Sequence, residues 1–115
     1  MTTVSLPFPP SINALYRAVG GRSILSEKYR LWKTEAGLVL NSQRPKKVLG
    51  KVAVSVELCA PDKRRRDADN AGTKALLDLL VSHQIIEADD NRILKEIKVV
   101  WVDQGDPCRV TIQSI

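Results

Sequence analysis

The chain has one histidine, His83, and two cysteines, Cys59 and Cys108, with no CxxC-type spacing. Two thiols are too few for a disulfide framework. Each falls in or beside a candidate strand, where a reduced, buried thiol is expected rather than a metal or redox centre. Long apolar runs are missing too: none approaches the ~18–20 residues that cross a bilayer. The opening Met1-Thr2-Thr3-Val4 lacks the basic-then-apolar order of a signal peptide. Repeats, low-complexity tracts and internal linkers are also absent. The expectation is an intracellular protein with no membrane association.

What remains is 115 residues, enough for one domain spanning 1–115 around a single core. A hydrophobic fraction of 43% and a charged fraction of 27% are those of a globular chain. The net charge is +5, which suits a polyanionic partner because each neutralised phosphate releases a counterion. The distribution of charge is more informative than the sum. Lys63, Arg64, Arg65 and Arg66 form a run of four cations that reverses at once to Asp67.

Hydrophobic periodicity outlines the elements. Val4-Ser5-Leu6 begins a strand that Pro7, Pro9 and Pro10 must end. Ser11 to Leu25, with its Gly20-Gly21 pair, reads as an extended loop. Ser26 is a candidate N-cap. After it, Tyr29, Trp32, Ala36, Val39 and Leu40 recur at helical spacing, and Asn41, Ser42 and Pro45 close that helix. Lys51 to Cys59 alternates as a strand with Val52, Val54, Val56 and Leu58 on one side. A second helix should start near Asp69 or Asn70, bury Ala71, Ala75, Leu76, Leu79 and Leu80, and end near Ser82 or His83. Beyond a polar turn, Ile97, Val99 and Trp101 share one face of a strand. Gly105, Asp106 and Pro107 turn the chain into a last strand, Arg109 to Gln113, with Val110 and Ile112 inward. The order β-α-β-α-β-β predicts an α+β domain with two helices on one face of a mixed sheet.

The chemistry centres on Asp67-Ala68-Asp69. Carboxylates at i and i+2 leave an extended strand on the same side, where they repel unless a cation neutralises them. A hard divalent ion prefers such oxygen donors, and Mg²⁺ takes one or two carboxylates plus waters and phosphate. The adjacent arginines can hold a phosphodiester. Asp89-Asp90 supplies further carboxylates. Spacing alone leaves simpler roles open: Asp69 as an N-cap, Asp67 as an ion-pair partner, Asp89-Asp90 as a solvated turn. His83, near a helix C-terminus, suits that dipole better than general-base work. Trp32 and Trp101 lie on apolar faces and are assigned to the core. The loop carrying Asn13, Tyr16, Arg17 and Arg22 either shapes the surface or touches DNA.

Taken together, these motifs resemble a known family. Asp62-Lys63-Arg64-Arg65-Arg66-Asp67-Ala68-Asp69-Asn70, then Lys74-Ala75-Leu76-Leu77-Asp78, then Ile86-Glu87-Ala88-Asp89-Asp90 is similar to the signature of the RusA Holliday junction resolvases. Leu6-Pro7-Phe8-Pro9-Pro10-Ser11-Ile12-Asn13, with Tyr16-Arg17 after it, resembles that family's N-terminal segment, so the likeness covers nearly the whole chain. The resemblance implies a cytoplasmic, bacterial or prophage-encoded homodimer that nicks four-way DNA junctions symmetrically. It implies Mg²⁺ as cofactor, with Mn²⁺ as a substitute, and no organic cofactor. Asp67, Asp69 and Asp90 would bind the metal, Lys74 would be the catalytic lysine, and Lys63, Arg64, Arg65, Arg66, Asn13 and Arg17 would bind DNA. The family lysine falls four residues after the second aspartate, whereas Lys74 lies five after Asp69 with Gly72 in between. One residue on a helix is ~100° of rotation. Three alternatives stay open: a non-catalytic module for structured nucleic acid, a degenerate relative, and a nuclease for other branched DNA.

Chain length poses a further question. A helix from Asn70 to Ser82 is ~20 Å long, and the residues from its end to Asp90 reach at most ~26 Å. Either the chain runs straight back along that helix, or a partner subunit supplies Asp90.

Overall fold

The computed structural model describes residues 1–66 and 72–115. Its elements in chain order are β1 (Thr2–Leu6), a 3₁₀ turn (Ile12–Ala14), β2 (Tyr16–Val19), β3 (Arg22–Leu25), α1 (Glu27–Ser42), β4 (Val52–Cys59), α2 (Thr73–Ser82), β5 (Leu94–Val102) and β6 (Cys108–Ser114). Four strands form one mixed sheet in the order β1-β6-β4-β5, in which β4 and β5 are parallel and the other pairs antiparallel. The expected α+β class and the two long helices are both present.

The register explains the core. Val4, Val110, Val56 and Val99 lie side by side across the sheet, as do Leu6, Cys108, Leu58 and Trp101. These rows belong to the apolar face, which packs in one core with Tyr29, Trp32, Ala36 and Leu40 of α1 and Ala75, Leu76, Leu79 and Leu80 of α2. The opposite face carries Thr3, Thr111, Ser55 and Lys98 in one row and Ser5, Arg109 and Glu57 in the next. This is the period-two alternation of a sheet covered on one side. Cys108 is fully buried, and burial lifts its thiol to about 12, so it is an inert packing group.

Local chemistry sets the helix ends. The Ser26 hydroxyl accepts the Tyr29 backbone N–H at 3.1 Å, as its N-cap position requires. At the far end of α2, His83 occupies the C-cap, and its ring faces Gly37 of α1 so closely that an added Cβ would lie 3.2 Å from Nε2. The histidine thus sits at the helix C-terminus, where the sequence places it, and packs against α1. Trp32 is also core, donating its indole N–H to the Pro7 carbonyl at 3.1 Å.

Two expectations need correction. The loop from Ser11 to Leu25 contains the hairpin β2–β3, turned by Gly20 and Gly21 at φ +56° and +78°. A two-residue loop with both φ positive is a type I′ turn. Every residue of β2 is exposed, so the hairpin has no inside-outside alternation for a sequence pattern to reveal. Second, α2 begins at Thr73 with Gly72 as its N-cap, and no side-chain cap bond is made there. A Cβ at Gly72 would approach the Pro9 side chain to 2.5 Å and the Pro10 carbonyl to 2.6 Å. The helix start is therefore set by backbone apposition to the Pro9-Pro10 segment, and the expected caps Asp69 and Asn70, with Ala71, lie outside the described residues. The expected turn after β5 is present and joins strands that are not neighbours in the sheet. It passes the end of β4, where Cys59 N–H donates to the Pro107 carbonyl at 3.1 Å, and delivers β6 to the other side of that strand.

Two substitutions test this framework. Gly72→Ala should lower stability by about 1–3 kcal/mol through overpacking against Pro9 and Pro10, read by chemical denaturation. Ser26→Ala should cost about 1 kcal/mol through loss of the cap, with an unchanged denaturant slope.

Candidate nucleic-acid interface

Both ends of the undescribed stretch border one cavity. It measures about 570 Å³, and its lining includes Arg66 and Gly72, together with Phe8, Pro9, Pro10, Lys28, Arg64, Arg65 and Trp101. Among the described lining residues four are cationic and none is acidic. Leu6, Leu58 and Trp101 share a row of the sheet, so the cavity sits at the end where β1 and β4 finish. The basic run is thus gathered at one edge of the fold.

Its arginines are organised by an acid within the same loop. Asp62 accepts the backbone N–H of Arg64 at 2.9 Å and pairs with the Arg64 and Arg66 guanidiniums at 3.2 and 3.0 Å. The Arg64 backbone bond, reinforced by both guanidiniums, holds the Asp62 carboxyl down at about 2. Arg66 also donates to the carbonyls of Asp62 and Arg64 and lies over the Phe8 ring, 5.5 Å from its centroid. Arg65 and Lys63 are exposed. The expected DNA-binding cations therefore divide: Arg64 and Arg66 are held in place, while Arg65 and Lys63 extend into solvent.

Of the three expected metal carboxylates, Asp67 and Asp69 lie outside the described residues. Asp90 is an exposed carboxylate that accepts the Arg92 backbone N–H at 2.9 Å and the Arg92 guanidinium at 3.1 and 2.7 Å. The Arg92 side chain, then its backbone N–H, lowers the Asp90 carboxyl to about 2, so it is ionised at any working pH. A permanently charged surface carboxylate is the hard oxygen donor that Mg²⁺ takes. Among the described residues no three His, Cys, Asp or Glu side chains converge as a metal site.

Asp90 and the basic cavity lie at different ends of the sheet within one chain. The Asp90 carbonyl accepts Leu94 N–H at 2.8 Å, and Leu94 opens β5 opposite Val52. The cavity surrounds Trp101, seven residues further along the same strand. At ~3.3 Å per residue that is roughly 23 Å of strand.

Lys74 sits in the first turn of α2 and pairs with Asp78 one turn on, Nζ to Oδ2 3.3 Å. That contact, with smaller effects from Tyr16 and Asp89, raises its pKa, so it is a full cation. Asp78 and Asp89 line a second, smaller groove with Tyr16, Tyr29 and Lys33. Burial, then the charge of Asp78, pushes the Tyr29 hydroxyl to about 12. Asp78 enters the sequence analysis only as the end of the Lys74-to-Asp78 motif, although its i, i+4 spacing from Lys74 signals the pair. Lys28 and Phe8 were missed as cavity residues, because their role depends on packing between α1 and the segment after β1.

Among the remaining expected DNA contacts, Asn13 is exposed in the 3₁₀ turn, and Arg17 and Arg22 are exposed on the β2–β3 hairpin. The structure does not bring this hairpin into the lining of the basic cavity. Trp101 requires a correction. It occupies the apolar row as expected but is 37% exposed, because β5 is the edge strand.

Comparison of the sequence with known proteins points to one family. The family model for endodeoxyribonuclease RusA matches residues 7–113. A crossover junction endodeoxyribonuclease RusA from Escherichia coli K12 is 34% identical over 114 residues, covering 98% of this chain and 94% of its own. The protein of that name from Enterobacteria phage 82 is 35% identical over 97% of this chain and 93% of its own. The one from phage HK97 is 32% identical over 82% of each. With its arginine run, its flanking carboxylates and both helices within the matched span, the chain belongs to the endodeoxyribonuclease RusA family.

Proposed function

We propose that this protein is a Mg²⁺-dependent homodimer that resolves four-way DNA junctions by paired symmetric nicks. The observation that carries the reading is a cation-lined cavity bordered by Arg66 and Gly72, which bracket the Asp67-Ala68-Asp69 sequence, in a chain related along its length to junction endonucleases. Arg65 and Lys63 would bind phosphates at the mouth, and Arg64 and Arg66, held by Asp62, would present their donors without further ordering. Asp67, Asp69 and Asp90 would hold the metal. When bound, it would polarise the scissile phosphate and acidify a water. Lys74, kept charged by Asp78, would stabilise negative charge near the phosphate. Relatives from Escherichia coli and from Enterobacteria phages support a bacterial or prophage setting and action in the cytoplasm. Among the described residues no helix is long and apolar enough to cross a membrane.

The third carboxylate would come from its own chain or from a partner subunit. Asp90 is tied to the start of β5 while the cavity surrounds its far end, and Asp89 beside it shares a groove with Asp78 and acts electrostatically on Lys74 of α2, so experiment separates the two arrangements. A two-fold dimer then presents two equivalent sites to a two-fold symmetric junction.

The decisive assay is cleavage of an end-labelled synthetic four-way junction beside plain duplex. Symmetric nicking of the junction alone should require Mg²⁺ or Mn²⁺, vanish with EDTA, and fall at least about 100-fold in Asp67→Asn, since metal-site changes act on that scale. Binding without cleavage under every metal condition would reduce the protein to a recognition module. Subunit mixing separates the two arrangements. Asp67→Asn and Asp90→Asn homodimers should both be inactive. Their co-expressed heterodimer should recover single-strand nicking if Asp90 comes from the partner subunit, because one of its two sites then contains no substitution. A heterodimer as inactive as its parents would place Asp90 in its own subunit's site.

A further inference from the structure

We propose that Trp101 and Phe8 form a stacking shelf for an unstacked DNA base within the basic cavity, a specificity device that rests on the reading of this face as a branched-DNA site. Trp101 is an exposed indole in an otherwise buried row: Leu6, Cys108 and Leu58 beside it are 2% exposed or less, whereas it is 37% exposed. A large aromatic left open at a cavity has a surface that a flat partner can cover. Phe8 meets it with ring centroids 6.2 Å apart and planes 31° apart, so both rings belong to the same wall. Arg66 lies over the Phe8 ring, which ties the shelf to the segment that precedes Asp67.

The ligand class follows from what surrounds the rings. Lys28, Arg64 and Arg65 share the lining, and no acidic residue does among those described. Aromatic faces interleaved with cations are the arrangement that binds single-stranded nucleic acid, with bases stacked and phosphates neutralised. An apolar peptide would meet a wall of cations here, and a duplex offers no free base face. The cavity, about 570 Å³, has room for one base with its sugar and phosphate. In the open form that a four-way junction takes without divalent ions, the base pairs at the exchange point lose a stacking neighbour, which continuous duplex keeps. The shelf therefore discriminates by shape, independently of the carboxylates.

Trp101 provides its own probe. The other tryptophan, Trp32, is buried with its indole N–H bonded to Pro7, so quenching by DNA reports mainly on Trp101. Titrations are made in EDTA with an oligo-dT single strand, a four-way junction and a plain duplex. The single strand and the junction should quench wild-type fluorescence. Trp101→Leu should remove that quench and weaken junction binding about tenfold, the scale of one lost base stack, with duplex binding unchanged. Trp101→Phe should retain most of the junction affinity. Wild-type fluorescence unmoved by saturating single strand and junction would overturn the proposal. So would a Trp101→Leu protein that binds junction as tightly as wild type, or one that loses duplex and junction binding equally. If wild type shows the quench and the junction-selective loss but never cuts, the shelf stands and the nuclease reading falls.

Discussion

The structure depends on β4 being paired on both sides: parallel to β5 and antiparallel to β6. Parallel pairing requires the chain to return to the start of β4 before β5 begins, and α2 makes that return. Because α2 must lie against the apolar face of the sheet to bury Leu76, Leu79 and Leu80, its start is held where β4 ends. There Gly72 abuts Pro9 and Pro10 with no space for a side chain. The same constraint assigns the basic run to one end of the sheet and Asp90 to the other. A single strand pairing thus places the candidate phosphate clamp at one end of the sheet and the Asp90 turn at the other.

Electrostatics at the cavity follow a similar economy of parts. Four adjacent cations repel one another, and a loop carrying them would swing freely without a counter-charge. Asp62 supplies one, just before the run, and engages Arg64 and Arg66 through bonds of 3.2 and 3.0 Å. As an exposed network this adds little to stability. Its effect is on geometry: two guanidiniums are oriented, and two cations remain extended for a polyanion. Lys74 with Asp78 and Asp90 with Arg92 repeat the device, each charged group being paired with a near neighbour in sequence. Local pairing keeps these groups ionised and directed before substrate arrives.

Much of this was legible in the sequence because it is governed by short-range patterns. The alternation of Val52, Val54, Val56 and Leu58, the helical spacing of Tyr29, Trp32, Ala36 and Leu40, and the cap at Ser26 depend on residues within a few positions of one another, and each appears where expected. The β2–β3 hairpin escaped notice because neither of its faces is consistently buried, so hydrophobicity leaves no period to detect. Trp101 was misassigned for a related reason. Its pattern reveals which face of β5 it occupies, but burial also depends on whether β5 is central or at an edge, and that is a property of the whole sheet.

The sequence by itself determined the two helices and the four strands of the main sheet, the apolar face of each of those strands and the family to which the order of motifs belongs, because backbone propensity, side-chain alternation and motif spacing are all written along the chain. Tertiary structure alone decided that β6 inserts on the far side of β4 from β5, that Gly72 rests on Pro9 and Pro10, and that Phe8, Lys28, Arg66 and Trp101 surround one cavity. These are contacts between segments tens of residues apart. They arise from burying one shared core, and no local pattern encodes which segments meet.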